Sequence, residues 1–179
     1  MRKLFLSAGH SLNESGAVTN NFKEANLTIE LRDLIAAEIK KINSLAYIKL
    51  DSDTMSLKGY ISELNKQVVS NDIIVDLHFN AGISNATGTE TFVPFRFTTE
   101  EHVLATKVSS LVSNTLNIKN RGIKDERQSQ HNSLAIMRPN CTNILIEVCF
   151  ITNVSDMQSY ITNKKKLAKK LAELFSVYL

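Results

Sequence analysis

The sequence predicts one three-layer α/β domain built on a largely parallel sheet. Segments of strand period alternate with segments of helical period along the whole chain, an order that favours parallel strands joined by helices. The length, 179 residues, suits a single domain with one substantial core. A third observation is chemical: His10, His78 and Glu147 each lie at the carboxyl end of a strand-like run, the edge where open α/β sheets bind ligands.

Residues 3–7 alternate apolar and small side chains before Ala8-Gly9 and read as a strand whose turn presents His10. The polar stretch 11–21 reads as a loop. Over 22–42, Leu27, Leu31, Leu34, Ile35, Ile39 and Ile42 recur at helical spacing, with Asn20 or Asn21 as the expected cap. Residues 45–50 form a second strand, and 56–69 a helix with Leu57, Ile61, Leu64 and Val68 on one face. In 72–80, Ile73, Val75, Leu77 and Phe79 point one way and Ile74, Asp76, His78 and Asn80 the other. A loop at 82–88 leads into a strand over 89–94 that Pro94 stops. Thr98 followed by Glu101 is a capping-box signature for a helix reaching about residue 116. The polar segment 117–133 reads as surface chain near the site entrance. Residues 134–137 and 144–150 read as short strands, and Asn163 as the cap of a last helix carrying Leu167, Leu171, Leu174 and Phe175.

Composition excludes several function classes. With 43% hydrophobic and 22% charged residues, the chain has the balance of a soluble globular domain. A net charge of +3 is compatible with an anionic polymer, and no Lys/Arg block interleaved with aromatics argues for nucleic acid. No apolar run approaches the ~20 residues of a membrane span, so membrane insertion is not expected. The amino-terminal apolar stretch is too short for a signal-peptide core, which predicts synthesis in the cytoplasm. Cys141 and Cys149 are too few for a disulfide framework; they are either reduced or joined in one bridge. No linker or repeat is visible, so residues 1–179 read as a single domain, with a monomer expected.

Two imidazoles and two carboxylates, His10, His78, Glu24 and Glu147, make up the inventory of a hydrolytic zinc centre. Glu24 opens a helix, where amide dipoles alone favour a carboxylate. Residues 24, 27, 28, 31 and 35 share one side of that helix, however, and the others are largely apolar, so Glu24 extends a buried stripe toward the sheet edge. Glu147 interrupts Ile144-Leu145-Ile146 and Val148-Cys149-Phe150, a run fit for a fully buried strand. Burial raises the pKa of such a carboxyl and a nearby divalent cation opposes that rise; the plainer alternative is an ion pair with a Lys or Arg. Cys149 is conceivable as a nucleophile beside a histidine, but reads as a small apolar filler. His102 and His131 read as solvated, and the lysines at 164–166, 169 and 170 as a solvated helix face.

With these residues placed, nearly the whole chain resembles the zinc-dependent N-acetylmuramoyl-L-alanine amidases of the type 3 group, which includes endolysins of phage. The likeness rests on ordered blocks: Gly9-His10, Glu24-Ala25-Asn26-Leu27, Ser52-Asp53-Thr54, His78-Phe79-Asn80-Ala81, Gly88-Thr89-Glu90, Arg121-Gly122-Ile123-Lys124, and Ile146-Glu147-Val148 continuing to Phe150-Ile151-Thr152-Asn153. The resemblance implies an α/β/α fold with a central mixed, mostly parallel sheet. It also implies Zn2+ held by His10, Glu24 and His78, Glu147 as the catalytic carboxylate, and peptidoglycan as substrate. Asn80 and Arg121 are candidate substrate contacts. Two departures stand out: Ser7-Ala8 precede Gly9-His10 where the family usually has Asp-Pro, and Asp76 stands where Ser is more common. Asp76 shares a strand face with His78 and is expected to orient its imidazole, as carboxylates do behind metal-bound histidines. Competing readings are a non-catalytic wall-binding module and a metal-dependent amidase or deacetylase with another substrate. The expected setting is the cell wall, reached from the cytoplasm by phage-type lysis.

Overall fold

The computed structural model describes residues 2–19 and 21–179. Six strands, β1 (Lys3–Ser7), β2 (Tyr47–Leu50), β3 (Ile73–Asn80), β4 (Thr89–Val93), β5 (Asn120–Asp125) and β6 (Thr142–Phe150), form one sheet in the order β2-β1-β3-β6-β4-β5. Among the described strands of this sheet β4 pairs antiparallel with β6, and the other four pairings are parallel. The sheet is therefore mixed and mostly parallel, as expected. Four helices flank it: α1 (Glu24–Ile42), α2 (Leu57–Gln67), α3 (Thr99–Leu116) and α4 (Val154–Ser176).

The two faces of the sheet are covered unequally. Leu31, Ile35 and Ile39 of α1, Leu104 and Val108 of α3, and Leu167, Leu171 and Phe175 of α4 pack on one face, against Leu4, Leu6, Val75, Leu77 and Ile146. Their burial supplies most of the apolar area removed from water, the main favourable contribution to folding. The opposite face carries a smaller cluster of Phe5, Ile74, Phe92 and Leu145 under Tyr60 and Leu64 of α2, with Ile136 and Met137 beside them. The alternation in β3 accounts for the division: Ile73, Val75, Leu77 and Phe79 enter the large cluster, and Ile74 the small one. Asp76 and His78 therefore rise on the thinly covered face.

Several elements depart from the sequence expectations for physical reasons. The first helix starts at Glu24 with Lys23 at the cap and no side-chain capping bond, because Lys23 is held in an extended conformation by an antiparallel bridge to Val18. Asn21 is thus not the cap, and Asn20 lies outside the described residues. Within the polar segment 117–133, Asn120–Asp125 forms the edge strand β5. None of its residues is fully buried, so neither face carries the apolar alternation that marks a strand. Residues 134–137 are not a strand: Ala135–Met137 is a single 3-10 turn, since both sides of β6 are already paired, by β3 and β4. The last helix is capped ten residues before Asn163, by Asn153, whose side chain accepts from the amides of Ser155 and Asp156; Asn163 sits inside the helix and donates to Ser159 O. The capping box of Thr98 and Glu101 forms as expected.

One ion-pair hub fixes the chain around His10. Arg32 of α1, buried at 3% exposure, donates to Asp51 Oδ1 at 2.8 Å and to Asp53 Oδ1 at 2.6 Å. Asp51 Oδ1 in turn accepts from Ala8 N at 3.1 Å, and Asp53 O accepts from Leu12 N at 2.6 Å. The loop bearing His10 is therefore tied on both sides to the end of β2. Arg32→Met leaves the largely buried Asp51 carboxylate without its cation. The expected loss is about 2 to 3 kcal/mol, toward the low end for a broken buried pair because water reaches Asp53, read from urea denaturation midpoints.

Candidate metal centre

The site assembles at the carboxyl edge of the parallel strands. Beyond β1, Gly9 takes a left-handed φ of 67°, a conformation open to glycine at no steric cost, and the chain turns so that His10 faces back over the sheet. A β-carbon at Gly9 would stand 2.4 Å from Leu77 O and 2.5 Å from His78 Nε2, so the close approach of the two strand ends also demands glycine. Gly16 plays the same part from the other side, where a β-carbon would stand 2.6 Å from both Glu24 Oε2 and His10 Cδ2.

Glu24 joins the two imidazoles. Its Oε1 lies 3.1 Å from His78 Nδ1 and its Oε2 lies 3.4 Å from His10 Nε2. Two backbone amides hold the carboxylate in place, Phe79 N donating to Oε1 and Ala17 N to Oε2, each at 2.8 Å. The histidine rings meet edge to face with centroids 4.9 Å apart. One donor atom from each of His10, Glu24 and His78 falls within 4.8 Å of the others. The other nitrogen of His78, Nε2, lies 3.2 Å from Asp76 Oδ2, and Asp76 Oδ1 accepts the Ser7 hydroxyl. His78 thus has one nitrogen fixed by a carboxylate and the other aimed at the cluster, the arrangement typical of metal-bound histidine.

Charge follows the same geometry. Burial works against charge on His78, but Asp76 and Glu24 outweigh it and hold the imidazole well above its ordinary pKa. Burial also tends to raise the Glu24 carboxyl, yet the hydrogen bond and charge of His78 keep it below the usual value. Burial lowers His10, with Glu24 opposing. The carboxylates around His78 thus favour positive charge at this point, and a divalent cation bound there would take the place of a proton, as ligation by neutral imidazole requires. Nitrogen and carboxylate donors with one anchored imidazole suit zinc.

Glu147 stands beside His78 in the register of β3 and β6. Its Oε2 is buried without a hydrogen-bond partner among the described residues, and burial, opposed by His78, pushes the carboxyl up to about 7. The expected alternative, a Lys or Arg partner, is not what β4 offers: the residue opposite Glu147 is Glu90. Glu90 instead takes the cations. Arg121 Nε and Lys124 Nζ both donate to its Oε2 at 2.6 Å, and Asn80 Nδ2 donates to its Oε1 at 2.8 Å. Burial tends to raise the Glu90 carboxyl, but Lys124 and Arg121 outweigh it and hold it low.

A cleft of about 710 Å³ runs across the thinly covered face from His10 and His78, past Glu147, to Glu90, Arg121 and Lys124. All seven residues singled out from the sequence, His10, Glu24, Asp76, His78, Asn80, Arg121 and Glu147, line it. Glu90 and Lys124 had no role assigned from sequence. The available signal for Glu90 was a charged residue inside the strand TETFV, the same signal that marks Glu147 in ILIEVCF. His102 and His131 are exposed, although His131 reaches the cleft rim. Both cysteines are free; Cys149 packs against Met157, Sγ to Sδ 4.0 Å, and is a filler as expected.

Fold and site together define a mixed-sheet α/β domain with a candidate metal centre at the sheet edge. Residues 4–175 match the sequence model of the N-acetylmuramoyl-L-alanine amidases, and the chain belongs to that family. It is 26% identical over 158 residues to the uncharacterized protein YqiI of Bacillus subtilis, covering 87% of this chain and 73% of YqiI. It is 24% identical over 156 residues to the N-acetylmuramoyl-L-alanine amidase LytC of the same organism, covering 86% of this chain and 30% of LytC. Among solved structures, the N-acetylmuramoyl-L-alanine amidase from Clostridium difficile 630 superposes with a TM-score of 0.74 at 26% identity, covering 99% of this chain and 94% of that one.

Gly9→Ala is expected to lose about 1 to 2 kcal/mol from its left-handed backbone alone, and more from the collision with Leu77 O, seen as a lower urea midpoint. For Glu147 the sign is fixed by the raised folded-state pKa: its contribution to stability is complete below about pH 4.5 and is lost as pH rises through about 7. Glu147→Gln should therefore raise the melting temperature of chelator-treated protein more at pH 8 than at pH 5. Equal shifts at both pH values would contradict the buried, raised carboxyl.

Proposed function

We propose that this protein hydrolyses the amide bond between N-acetylmuramic acid and L-alanine of the peptidoglycan stem peptide in a zinc-dependent reaction. The observation that carries the reading is the partnerless Glu147 Oε2 beside the His10, Glu24 and His78 cluster. In this reading those three residues hold the zinc, and Asp76 orients His78. Zinc, when bound, supplies Lewis-acid polarisation of water and of the scissile carbonyl.

The remaining chemistry belongs to the chain. Glu147 accepts a proton from the attacking water as the new C–O bond forms, and returns it to the alanine nitrogen as the C–N bond breaks. Without hydrogen-bond donors of its own, Oε2 is free to make both transfers. Asn80 and Arg121 are tethered to Glu90, so each presents a fixed polar group to the bound sugar or peptide with little ordering left to do. The mildly basic net charge of +3 suits an anionic wall polymer, and phage-type lysis is the setting we propose for access to it.

The test is digestion of purified peptidoglycan with product analysis by mass spectrometry. Wild-type protein should release stem peptides with a free L-alanine amino group, lose activity on chelation, and regain it with zinc. Glu147→Gln should retain about one zinc per chain but lose at least about 100-fold in rate, the lower range for a general acid–base group. Near-normal release by that variant would refute the assigned role.

A further inference from the structure

We propose that Lys124 and Arg121 form a carboxylate subsite that makes this protein selective for stem peptides in which the residue after the alanine carries a free, unamidated carboxylate. The inference deepens the amidase reading and rests on it.

The two cations share one acceptor. Arg121 Nε and Lys124 Nζ both donate to Glu90 Oε2, while Glu90 Oε1 accepts from Asn80. One cation is enough to neutralise the buried Glu90 carboxylate, so the second carries surplus positive charge into the cleft that both residues line. Neither side chain is sealed off: Arg121 is 30% and Lys124 25% exposed. Aromatic rings support both from behind, with the Arg121 guanidinium carbon 5.0 Å from the Phe150 ring centre and Lys124 Nζ 5.9 Å from that of Phe92.

A backbone irregularity brings the two together. Residues three apart on a regular strand point to opposite faces. Between Thr89 and Thr91 of β4, however, the partner on β5 jumps from Asn120 to Ile123, and the extra residue is accommodated around Gly122, whose φ is 83°. Such a bulge re-aims side chains, and here Arg121 and Lys124 converge on one oxygen.

Position selects the ligand. The strand register sets His78 beside Glu147 and Glu147 beside Glu90, so at about 4.8 Å per strand Glu90 lies about 5 Å beyond Glu147, on the side away from His78. An extended residue spans ~3.3 to 3.6 Å, so a peptide leaving the scissile bond near Glu147 brings the residue after the alanine to the cation pair. The sugar side offers no anion, because its lactyl carboxyl is consumed in the amide that is cleaved. Arg and Lys carry donors only, and a carboxylate accepts from both. Amidation removes the charge and turns an N–H donor toward them.

Muropeptides with that carboxylate free, and the same muropeptides with it amidated, test this through kcat and KM for stem-peptide release. Wild-type protein should favour the free acid by about 10- to 100-fold in kcat/KM, the usual worth of hydrogen bonds to charged groups. The difference should lie mainly in KM, as for contacts that ground and transition states share. Lys124→Met, which leaves Glu90 paired with Arg121, should reduce that preference, and Lys124→Arg should keep it; Arg121→Gln replaces Lys124→Met if the latter does not fold. Equal kcat/KM on the two substrates for wild type, or an undiminished preference in the variant that lacks one cation, overturns the inference. If wild-type protein cleaves neither substrate, the amidase reading fails instead. NMR titration of the Arg121 Nε–H with the free-acid and amidated L-alanyl peptides then decides the subsite alone: binding of the free acid at least about tenfold tighter supports it, and equal binding overturns it.

Discussion

The carboxylate of Glu24 is the interaction on which the site depends. It is nearly inaccessible to solvent, accepts one backbone amide on each oxygen, and faces a different imidazole with each. Those amides come from Ala17, in the loop after His10, and Phe79, the residue after His78. One side chain at the start of α1 therefore fixes the separation between the ends of two strands and aims both rings at a common point. A buried charge so placed is costly unless fully partnered, which explains why the loop before the helix is itself pinned, by Arg32 with Asp51 and Asp53 on one side and by the Val18 and Lys23 bridge on the other.

Asymmetric covering of the sheet makes room for the chemistry. Three helices seal one face, while α2 and a single 3-10 turn cover the other. Strand residues that would otherwise be apolar can then be Asp76, His78, Glu90 and Glu147, all opening into one cleft. Along it the charge balance changes from residue to residue. Glu24 and Glu90 are held ionised by cationic neighbours, but Glu147 between them has no donor at Oε2 and is raised toward neutrality. Environments that separate the pKa values of like groups are how acid and base roles are assigned within one site.

Much of this was legible in the sequence because periodicity is a local property. The alternation of β3 placed Asp76 and His78 on one face, and helical spacing placed Glu24 with Leu27, Leu31 and Ile35 on the buried side of α1. What escaped depends on pairing across long separations. The grip of Arg121 and Lys124 on Glu90 needs β5 beside β4, and β5 has too few apolar residues to announce itself. The Ser7 and Asp76 hydrogen bond needs the register of β1 against β3, which no single segment encodes. Asn163 misled for a simpler reason: Asn153 is equally competent as a cap, and the choice was made by Asp156, whose carboxylate accepts from Gly88 N and Phe150 N and so starts the helix earlier.

The fold preorganises His10, Glu24 and His78 around one point, and in the proposed function that point holds the zinc. X-ray absorption at the zinc edge on protein loaded with one equivalent is the sharpest check. The expected spectrum shows a shell of nitrogen and oxygen donors with the scattering signature of two imidazoles, reduced to one in His10→Ala or His78→Ala. A shell containing sulfur from Cys141 or Cys149, or an unchanged spectrum in both histidine variants, would contradict it.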